Sequence, residues 1–328
     1  MKHRKTTTSK GFVLVVVLCM VTALAGLLFA FNLDCRADLV AADALTSSAR
    51  ALNCARAGLN LAIAALSSSA DSPENPAPMM LLAKTQHIAL DEGTCSVEVE
   101  DQTGKLNINL LKRPDGRLNR PQVDRLLRLI DLLNRGDLDR PPISYSLIPS
   151  IIDWIDADEQ TTCLQFIARQ NLGAESSYYA NLPVPYRPRN APLETIEELL
   201  LVKAVTPELF DRLRRYITVW GDGKVNINSA PRLVIESLSE NMDAALAQMI
   251  VSRRKERPFE SLAQLRDIPG MTDALYNVLR KTATVAPADK HYQVVSRGRS
   301  GWRTCTIVAM IRKDPDTGNL DVIQYKEL

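Results

Sequence analysis

The longest pattern in the chain is an uninterrupted apolar run close to its first residue. From Phe12 to Phe31 no side chain carries a charge, and a helix of this length spans roughly 30 Å, about the thickness of the hydrocarbon core of a bilayer. Leucines then recur at roughly helical spacing from Leu39 to Leu59, in an alanine-rich segment without proline. The pattern predicts one long helix over 12–66, apolar all round in its first half and amphipathic in its second, that ends at a Ser/Pro-rich stretch.

Alternation of apolar and polar positions predicts strands on both sides of a long middle segment. One predicted strand surrounds Cys95, Val97 and Val99, and the segment 304–328 predicts two strands joined by a turn at Asp314–Gly318. Between them lie about two hundred helix-rich residues. We therefore predict an α+β fold, in which the terminal strands form a head that carries a large all-helical insertion.

Two near-copies of one motif lie inside the helical middle: GKLNIN at 104–109 and GKVNIN at 223–228. The second copy leads into a helical pattern that resembles the tandem helix-hairpin-helix of competence DNA receptors. That resemblance implies an alternative function, a membrane-tethered DNA-binding protein that grips phosphates with hairpin amides. Both hairpins, however, carry acidic side chains that would repel phosphate: Glu240, Asp243, Asp267 and Asp273. We therefore expect no nucleic-acid partner and assign the basic cluster at 253–257 to a solvated helix end.

Composition narrows the possible functions further. The net charge is +2, from 40 basic and 38 acidic residues, so the chain as a whole has no strong attraction for nucleic acid. Beyond the basic N-terminal head the histidines are His87 and His291, and neither stands beside a nucleophile or an acidic motif at catalytic spacing. The acidic residues at 153–159 crowd one local segment instead of flanking a cleft. We predict that the protein is not an enzyme.

The residues before the apolar run carry a targeting signal. Basic residues and no acidic one precede Gly11, which favours a cytoplasmic N-terminus. The run is too long for a cleaved secretory signal, and Asp34 stands before Cys35, where a lipoprotein requires a small residue. A plain uncleaved anchor remains an alternative on these features alone. A short basic leader that ends in Gly, followed by Phe and a helix that turns amphipathic, resembles type IV prepilins and pseudopilins.

This resemblance implies that prepilin peptidase cuts between Gly11 and Phe12 and that the new N-terminal Phe12 is methylated. Most members of the family carry Glu at the fifth mature position, whereas this sequence has Val16. That departure is a trait of the minor pseudopilin K family of type II secretion systems, which is placed at the tip of the pseudopilus. A buried Glu needs a charged partner, and a subunit with nothing ahead of it has none.

Similarity to the K family implies a function, a location and partners. The function is that of a minor pseudopilin needed for protein export across the outer membrane. The location is the inner membrane, crossed once, with the N-terminus cytoplasmic and the C-terminal domain periplasmic. The implied partners are other minor pseudopilins, prepilin peptidase and inner-membrane components of the secretion system.

An acidic motif, IIDWIDADEQ, lies between the two repeats. It supplies Asp153, Asp156, Asp158 and Glu159, and Glu175 follows. Such a cluster offers the hard oxygen ligands that Ca²⁺ requires, although the Gly and Glu of an EF-hand loop are missing. Capping and solvation of helix ends are the alternative role. The resemblance to the K-family pattern DWxDxD…GAE…Y implies a Ca²⁺ site formed by Asp153, Asp156, Asp158 and Glu175.

The cysteines leave two possibilities open. Cys19 lies within the apolar run, and the other five would face an oxidising compartment: Cys35, Cys54, Cys95, Cys163 and Cys305. Their spacing matches no metal motif. Since Cys95 and Cys305 both fall on predicted strands of the head, they could form a disulfide, and buried free thiols are equally compatible with the sequence.

These patterns together predict six parts. They are a prepilin leader (1–11), a transmembrane and amphipathic pilin helix (12–66), the first part of a pilin-like head (67–103), a helical insertion with the acidic motif (104–220), a helix-hairpin-helix or SAM-like domain (221–285), and C-terminal strands that complete the head (286–328).

Overall fold

The computed structural model describes residues 9–67, 85–137, 139–314 and 317–328. The helices in these ranges are α1 (Ser9–Ser67), α2 (Arg120–Gly136), α3 (Leu147–Ile155), α4 (Ser176–Ala180), α5 (Pro207–Leu213), α6 (Arg232–Ser237), α7 (Ala244–Glu256) and α8 (Asp273–Thr282). The strands are β1 (Gln86–Leu90), β2 (Gly93–Asp101), β3 (Leu106–Asn107), β4 (Ile217–Thr218), β5 (Val225–Asn226), β6 (Ala283–Thr284), β7 (Lys290–Ser300), β8 (Arg303–Lys313) and β9 (Leu320–Glu327).

Helix α1 confirms the long helix predicted from periodicity. It runs unbroken for 59 residues, and its last third packs on the head through Ala55, Leu59 and Ala62, whereas the apolar run from Phe12 is largely exposed. Within the described ranges, α1 alone is long and apolar enough to cross a membrane. Residues 1–8 of the predicted leader (1–11) and most of the Ser/Pro-rich stretch lie outside the described residues.

The head is one antiparallel sheet interrupted by the helical insertion. Its strand order is β1-β2-β7-β8-β9, so β2, which precedes the insertion, pairs directly with β7, which follows it. Strand β2 ends at Asp101, and the residue paired with it is Tyr292, near the beginning of β7. The predicted strand around Cys95 and the predicted C-terminal pair are confirmed, and the structure adds β1 and β7. The α+β fold with a long N-terminal helix is thus confirmed.

Close approach of backbones joins α1 to the sheet. A Cβ atom built on Gly298 of β7 would lie 2.0 Å from the carbonyl oxygen of Ala51 and 2.3 Å from the amide nitrogen of Ala55. Two residues earlier, the Ser296 hydroxyl donates to the Ala55 carbonyl at 2.8 Å. The absence of a side chain at Gly298 therefore allows the strand to contact the helix backbone directly, and the small residues of α1 complete the fit.

Cys95 and Cys305 do not form the disulfide that the sequence left possible. Strand β7 lies between the two cysteine-bearing strands, with Gly298 opposite Cys95 on one side and opposite Cys305 on the other. Two strand spacings separate the cysteines by roughly 9–10 Å, beyond the reach of a disulfide. All six cysteines are free thiols, so the alternative of free thiols is correct.

The two sequence repeats begin two equivalent units of the insertion. The prediction of an all-helical insertion is wrong in this detail, because each repeat places its first asparagine on a short strand: Asn107 on β3 and Asn226 on β5, which pair in parallel with β4 and β6. The amide group of the other asparagine, Asn109 or Asn228, donates to two distant carbonyls. These carbonyls belong to Leu193 and Val219 in the first unit, and to Phe259 and Val285 in the second. Each repeat thus fastens the beginning of a unit to its later loops.

The first unit contains a helix that is buried along its whole length. All nine residues of α3 are buried, and Trp154 packs edge-on against Tyr179 of α4, with 5.2 Å between ring centroids. This buried helix contains the first half of the acidic motif, residues 151–155. The SAM-like description of the second unit stays a prediction.

Candidate metal centre

The acidic motif is positioned by the end of α3 and by the loop that follows it. Asp156 caps the helix, and its amide donates to the Ile152 carbonyl at 3.0 Å. The following loop folds back on itself, since the Gly173 amide donates to the Thr162 carbonyl at 3.1 Å. The second half of this loop places Glu175 beside the C-terminal end of α3.

The structure brings three of the four predicted site residues into one cluster. Oxygen atoms of Asp156, Asp158 and Glu175 all lie within 4.8 Å of one another. The fourth, Asp153, lies one turn earlier on α3, where its Oδ1 atom accepts a hydrogen bond from the Thr162 amide at 2.9 Å. Asp153 therefore borders the cluster and orients the loop.

Several buried oxygens of this region lack a hydrogen-bond donor among the described residues. The side chain of Glu175 belongs to a residue only 3% exposed, and neither of its carboxylate oxygens has a donor. The same holds for Oδ2 of Asp153, Oδ1 of Asp156 and Oδ1 of Asn190. A buried acceptor without a partner is costly, so a concentration of five such oxygens fits residues that hold a cation.

The electrostatics of the cluster also favour a cation. Burial raises the pKa of Glu175 to about 8, and the carboxylates of Asp153 and Asp156 add to this shift. Burial likewise raises the pKa of Asp153 and of Asp156. The acids lie at the C-terminal end of α3, where the helix dipole is negative and stabilises positive charge. Like charges and burial therefore oppose full ionisation of these groups unless a cation joins them.

Two further residues shape the site. The Lys112 ammonium lies 2.5 Å from Oδ2 of Asp156 and 3.1 Å from Oδ2 of Asp158, and no sequence pattern pointed to this contact. Gly173, the glycine of the GAE element that ends in Glu175, lies so close to Asp153 that a Cβ atom there would be 2.1 Å from the Asp153 Oδ2 atom. The GAE element could have pointed to Gly173, whereas Lys112 approaches the acids only through the fold of the first unit.

The donor set defines what this centre can bind. The oxygens available belong to carboxylates, with the Asn190 amide as a neutral addition: Asn190 donates to Glu159 at 3.2 Å, and Ser176, next to Glu175, donates to the same Glu159 oxygen at 2.9 Å. Hard oxygen donors with no nitrogen or sulfur suit Ca²⁺ or Mg²⁺ and not Zn²⁺ or copper. The residues present therefore fit a hard divalent cation.

The other predicted site residues, Gly11 and Phe12, lie in the first turn of α1. Both residues belong to the described part of α1, and Phe12 is 71% exposed. These positions form a candidate site separate from the metal centre.

The basic cluster at the end of α7 is engaged within the protein. The Arg254 guanidinium donates to the Ile227 carbonyl, while Arg257 pairs with Glu260 at 2.5 Å. At the start of the same helix, the Asp243 carboxylate accepts from the Leu246 amide at 2.7 Å. A helix N-terminus already capped by its own carboxylate is poorly suited to a phosphate.

Comparison with known proteins identifies the family of the chain. Two family models match it, each described as type II secretion system protein K, over residues 104–222 and 225–286. Together they cover more than half of the chain and meet at the boundary between its two repeat units. The boundary coincides with the start of the second repeat.

Individual relatives and a solved structure agree with the family models. Type II secretion system protein K of Pseudomonas aeruginosa is 27% identical over 229 residues, which are 69% of this chain and 63% of that protein. Protein K of Pectobacterium carotovorum subsp. carotovorum is 27% identical over 219 residues, or 65% of this chain and 61% of that protein. The matched region thus spans somewhat less than two thirds of these curated relatives.

The fold matches a chain in the crystal structure of the GspK-GspI-GspJ complex from the type II secretion system of enterotoxigenic Escherichia coli. The TM-score is 0.67 at 21% identity, with 88% of this chain and 99% of that chain covered. The shared fold extends over head and insertion alike. The chain belongs to the type II secretion system protein K family.

Proposed function

We propose that the protein is a minor pseudopilin of a type II secretion system, needed for protein export across the outer membrane. The observation that carries this proposal is the matched pair of repeat units, assigned to protein K by two family models, inserted into a sheet that packs on a long N-terminal helix. Its role is structural, as a subunit of an assembly. Helix α1 anchors it in the inner membrane with the basic N-terminus in the cytoplasm and the head in the periplasm.

Other minor pseudopilins are the proposed partners, and α1 is the proposed contact surface. Leu59 is buried against the head of its own chain and Leu52 packs partly against it, whereas Leu45 is 73% exposed and Leu39 nearly as much. Leu39 and Leu45 therefore remain available for contact with the helix of another subunit. The related fold was solved as a GspK-GspI-GspJ complex, which supports partners of this kind.

A tip position is the finer part of this proposal. Val16 gives the subunit no carboxylate for the amino group of a subunit ahead, and a charge without such a partner would be unfavourable in the membrane. The insertion adds bulk that close packing along a filament shaft would not accommodate. We expect one copy at the tip, processed by prepilin peptidase between Gly11 and Phe12 and methylated on Phe12.

Deletion and complementation test the function. Loss of the gene should leave secreted proteins in the periplasm, and the wild-type chain should restore their export. Gly11→Leu should fail to restore it and should leave an unprocessed chain in the membrane, whereas Lys10→Arg, which keeps the leader charge, should restore it fully. Export that continues unchanged in the deletion strain would contradict the proposed function.

We also propose that the centre formed by Asp156, Asp158 and Glu175, with Asp153 behind them, binds Ca²⁺. The support is geometric: oxygens within 4.8 Å of one another, and buried acceptors without donors at the same place. The bound cation would supply positive charge and fasten the loop of Glu175 to the end of α3. Its role is to stabilise the first repeat unit.

Calorimetric melting of chelator-treated protein tests this site. A ligand that binds only the folded state raises stability by about 2.7 kcal/mol at a hundredfold excess over its Kd, so millimolar Ca²⁺ should raise the Tm and chelator should reverse the rise. Asp156→Asn combined with Asp158→Asn should abolish the shift. The matched control Asp211→Asn, an exposed acid of α5, should keep it. A Tm indifferent to Ca²⁺ in the wild type would refute the site.

A further inference from the structure

Lys112 contacts the metal centre from outside the acidic motif. Its ammonium lies 2.5 Å from Oδ2 of Asp156 and 3.1 Å from Oδ2 of Asp158, and its own side chain is only 19% exposed. Asp156 and Asp158 are two of the three acids that approach one another within 4.8 Å, the third being Glu175. The ammonium therefore pairs with two of the three acids of the cluster.

The backbone holds Lys112 in this position. The residue directly follows the short 3-10 helix Ile108–Leu111, and it pairs with Leu118 in an isolated antiparallel β-bridge. Forty-four positions separate it from Asp156 along the chain. The contact is thus a tertiary one, created when the first repeat unit folds, and its long side chain is the flexible part.

The ammonium satisfies only part of the cluster. It donates to one oxygen each of Asp156 and Asp158, while both oxygens of Glu175 have no donor among the described residues. A divalent cation could reach Asp156 through its free Oδ1 atom. On Asp158, however, one oxygen accepts from the ammonium and the other accepts from the Gln160 amide at 2.9 Å, so a cation that binds all three acids competes with the ammonium there. Two cations a few ångströms apart repel each other strongly in a partly buried site, so the metal and the ammonium exclude each other.

We propose that Lys112 is an internal counter-cation that a metal ion must displace from the centre. In the metal-free protein it holds Asp156 and Asp158 together; when the metal binds, its side chain swings towards solvent. Since displacement costs free energy, Lys112 sets the metal concentration at which the centre fills. This inference rests on the metal site proposed above.

Isothermal titration of Ca²⁺ into the chelator-treated, detergent-solubilised full chain tests the role of Lys112. Lys112→Met should lower the Kd for Ca²⁺ at least tenfold, and it should lower the Tm of the metal-free protein because the acids lose their counter-charge. Arg113→Met is the matched control: it removes an adjacent, exposed positive charge and should leave the Kd within twofold of wild type. Lys112→Gln, which keeps a donor without the charge, should tighten binding too and serves if the Met variant does not fold.

The possible outcomes separate the two proposals. If wild type and variants all fail to bind Ca²⁺, the metal site itself is refuted and the inference fails with it. If wild type binds and the Lys112 variants bind equally or more weakly, the metal site stands and the counter-cation role is overturned. Equal tightening by Arg113→Met would also overturn it, because the effect would then be one of general charge.

Discussion

At the scale of single residues, Glu175 combines burial with the repulsion of neighbouring carboxylates. Its pKa of about 8 follows from burial and from neighbouring carboxylates, so the folded metal-free protein retains a proton that the unfolded chain loses near pH 4.5. Below that pH both states hold the proton, and above about pH 8 both have lost it. Between these values the unfolded state is increasingly favoured as pH rises.

The metal-free protein should therefore lose stability as pH rises from about 4.5 to about 8. We expect a fall in Tm on the order of 5 °C across this window in the presence of chelator, and a flatter profile for Glu175→Gln, which is neutral throughout. Ca²⁺ should reverse the fall, since it favours the ionised carboxylate. Differential scanning calorimetry at several pH values measures this. A wild-type profile as flat as that of Glu175→Gln would contradict the assigned environment.

Gly173 should be required for the geometry of the centre. A Cβ atom at this position would lie 2.1 Å from Oδ2 of Asp153 and 2.6 Å from the Pro149 carbonyl oxygen. We expect Gly173→Ala to cost about 2 kcal/mol of unfolding free energy, through overpacking, and to weaken Ca²⁺ binding. Gly136→Ala, at the end of α2 with open space around it, is the control and should change stability by less than about 0.5 kcal/mol. Denaturant unfolding measures the stability of both variants. Equal stability would contradict the requirement for Gly173, because it would show that the loop can shift away from Asp153 and Pro149.

At the scale of elements, the contact between α1 and β7 joins the head to its anchor. Gly298→Val would place a branched side chain where a single Cβ already meets Ala51 and Ala55, and should cost about 2–3 kcal/mol. Hydrogen exchange should show reduced protection of the backbone amides in β7 and in the last third of α1. The amides of α3, which belongs to the separate core of the insertion, should keep their protection. Arg299→Val, on the opposite face of the same strand, should leave exchange unchanged. Uniform loss of protection across both cores would contradict this division.

The elements also show how far a sequence can lead. Helix α1 and the terminal strands could be predicted because their periodicities are local properties of the chain. Strand order is not local, and the insertion of β7 between β2 and β8 separates Cys95 from Cys305. Lys112 could not be identified either, since its contact with Asp156 crosses forty-four positions and has no spacing signature. The acids of the centre were recognisable because three of them share one short motif and the fold returns Glu175 to it.

At the scale of the whole molecule, α1 connects two environments. Its apolar half is suited to a bilayer, its last third packs on the head, and between them lies a stretch that is exposed on all sides, with Leu39 and Leu45 among its apolar residues. Exposed apolar residues on a helix face that no described residue of the chain covers are typical of a helix that packs against other helices. We therefore expect α1 to mediate assembly with a small number of different pseudopilin subunits.

Photo-crosslinking from this stretch tests the account most directly. A photoreactive amino acid at Leu45, in cells that assemble the secretion system, should yield adducts with one or two other pseudopilins and no ladder of self-adducts. The control is the same probe at Glu98, on the sheet face away from α1, which should give no such adducts. Mass spectrometry identifies each adduct and also reports whether the chain begins at Phe12. A ladder of self-adducts would place the protein along the shaft and contradict the tip position, and the absence of pseudopilin adducts would contradict the assembly itself.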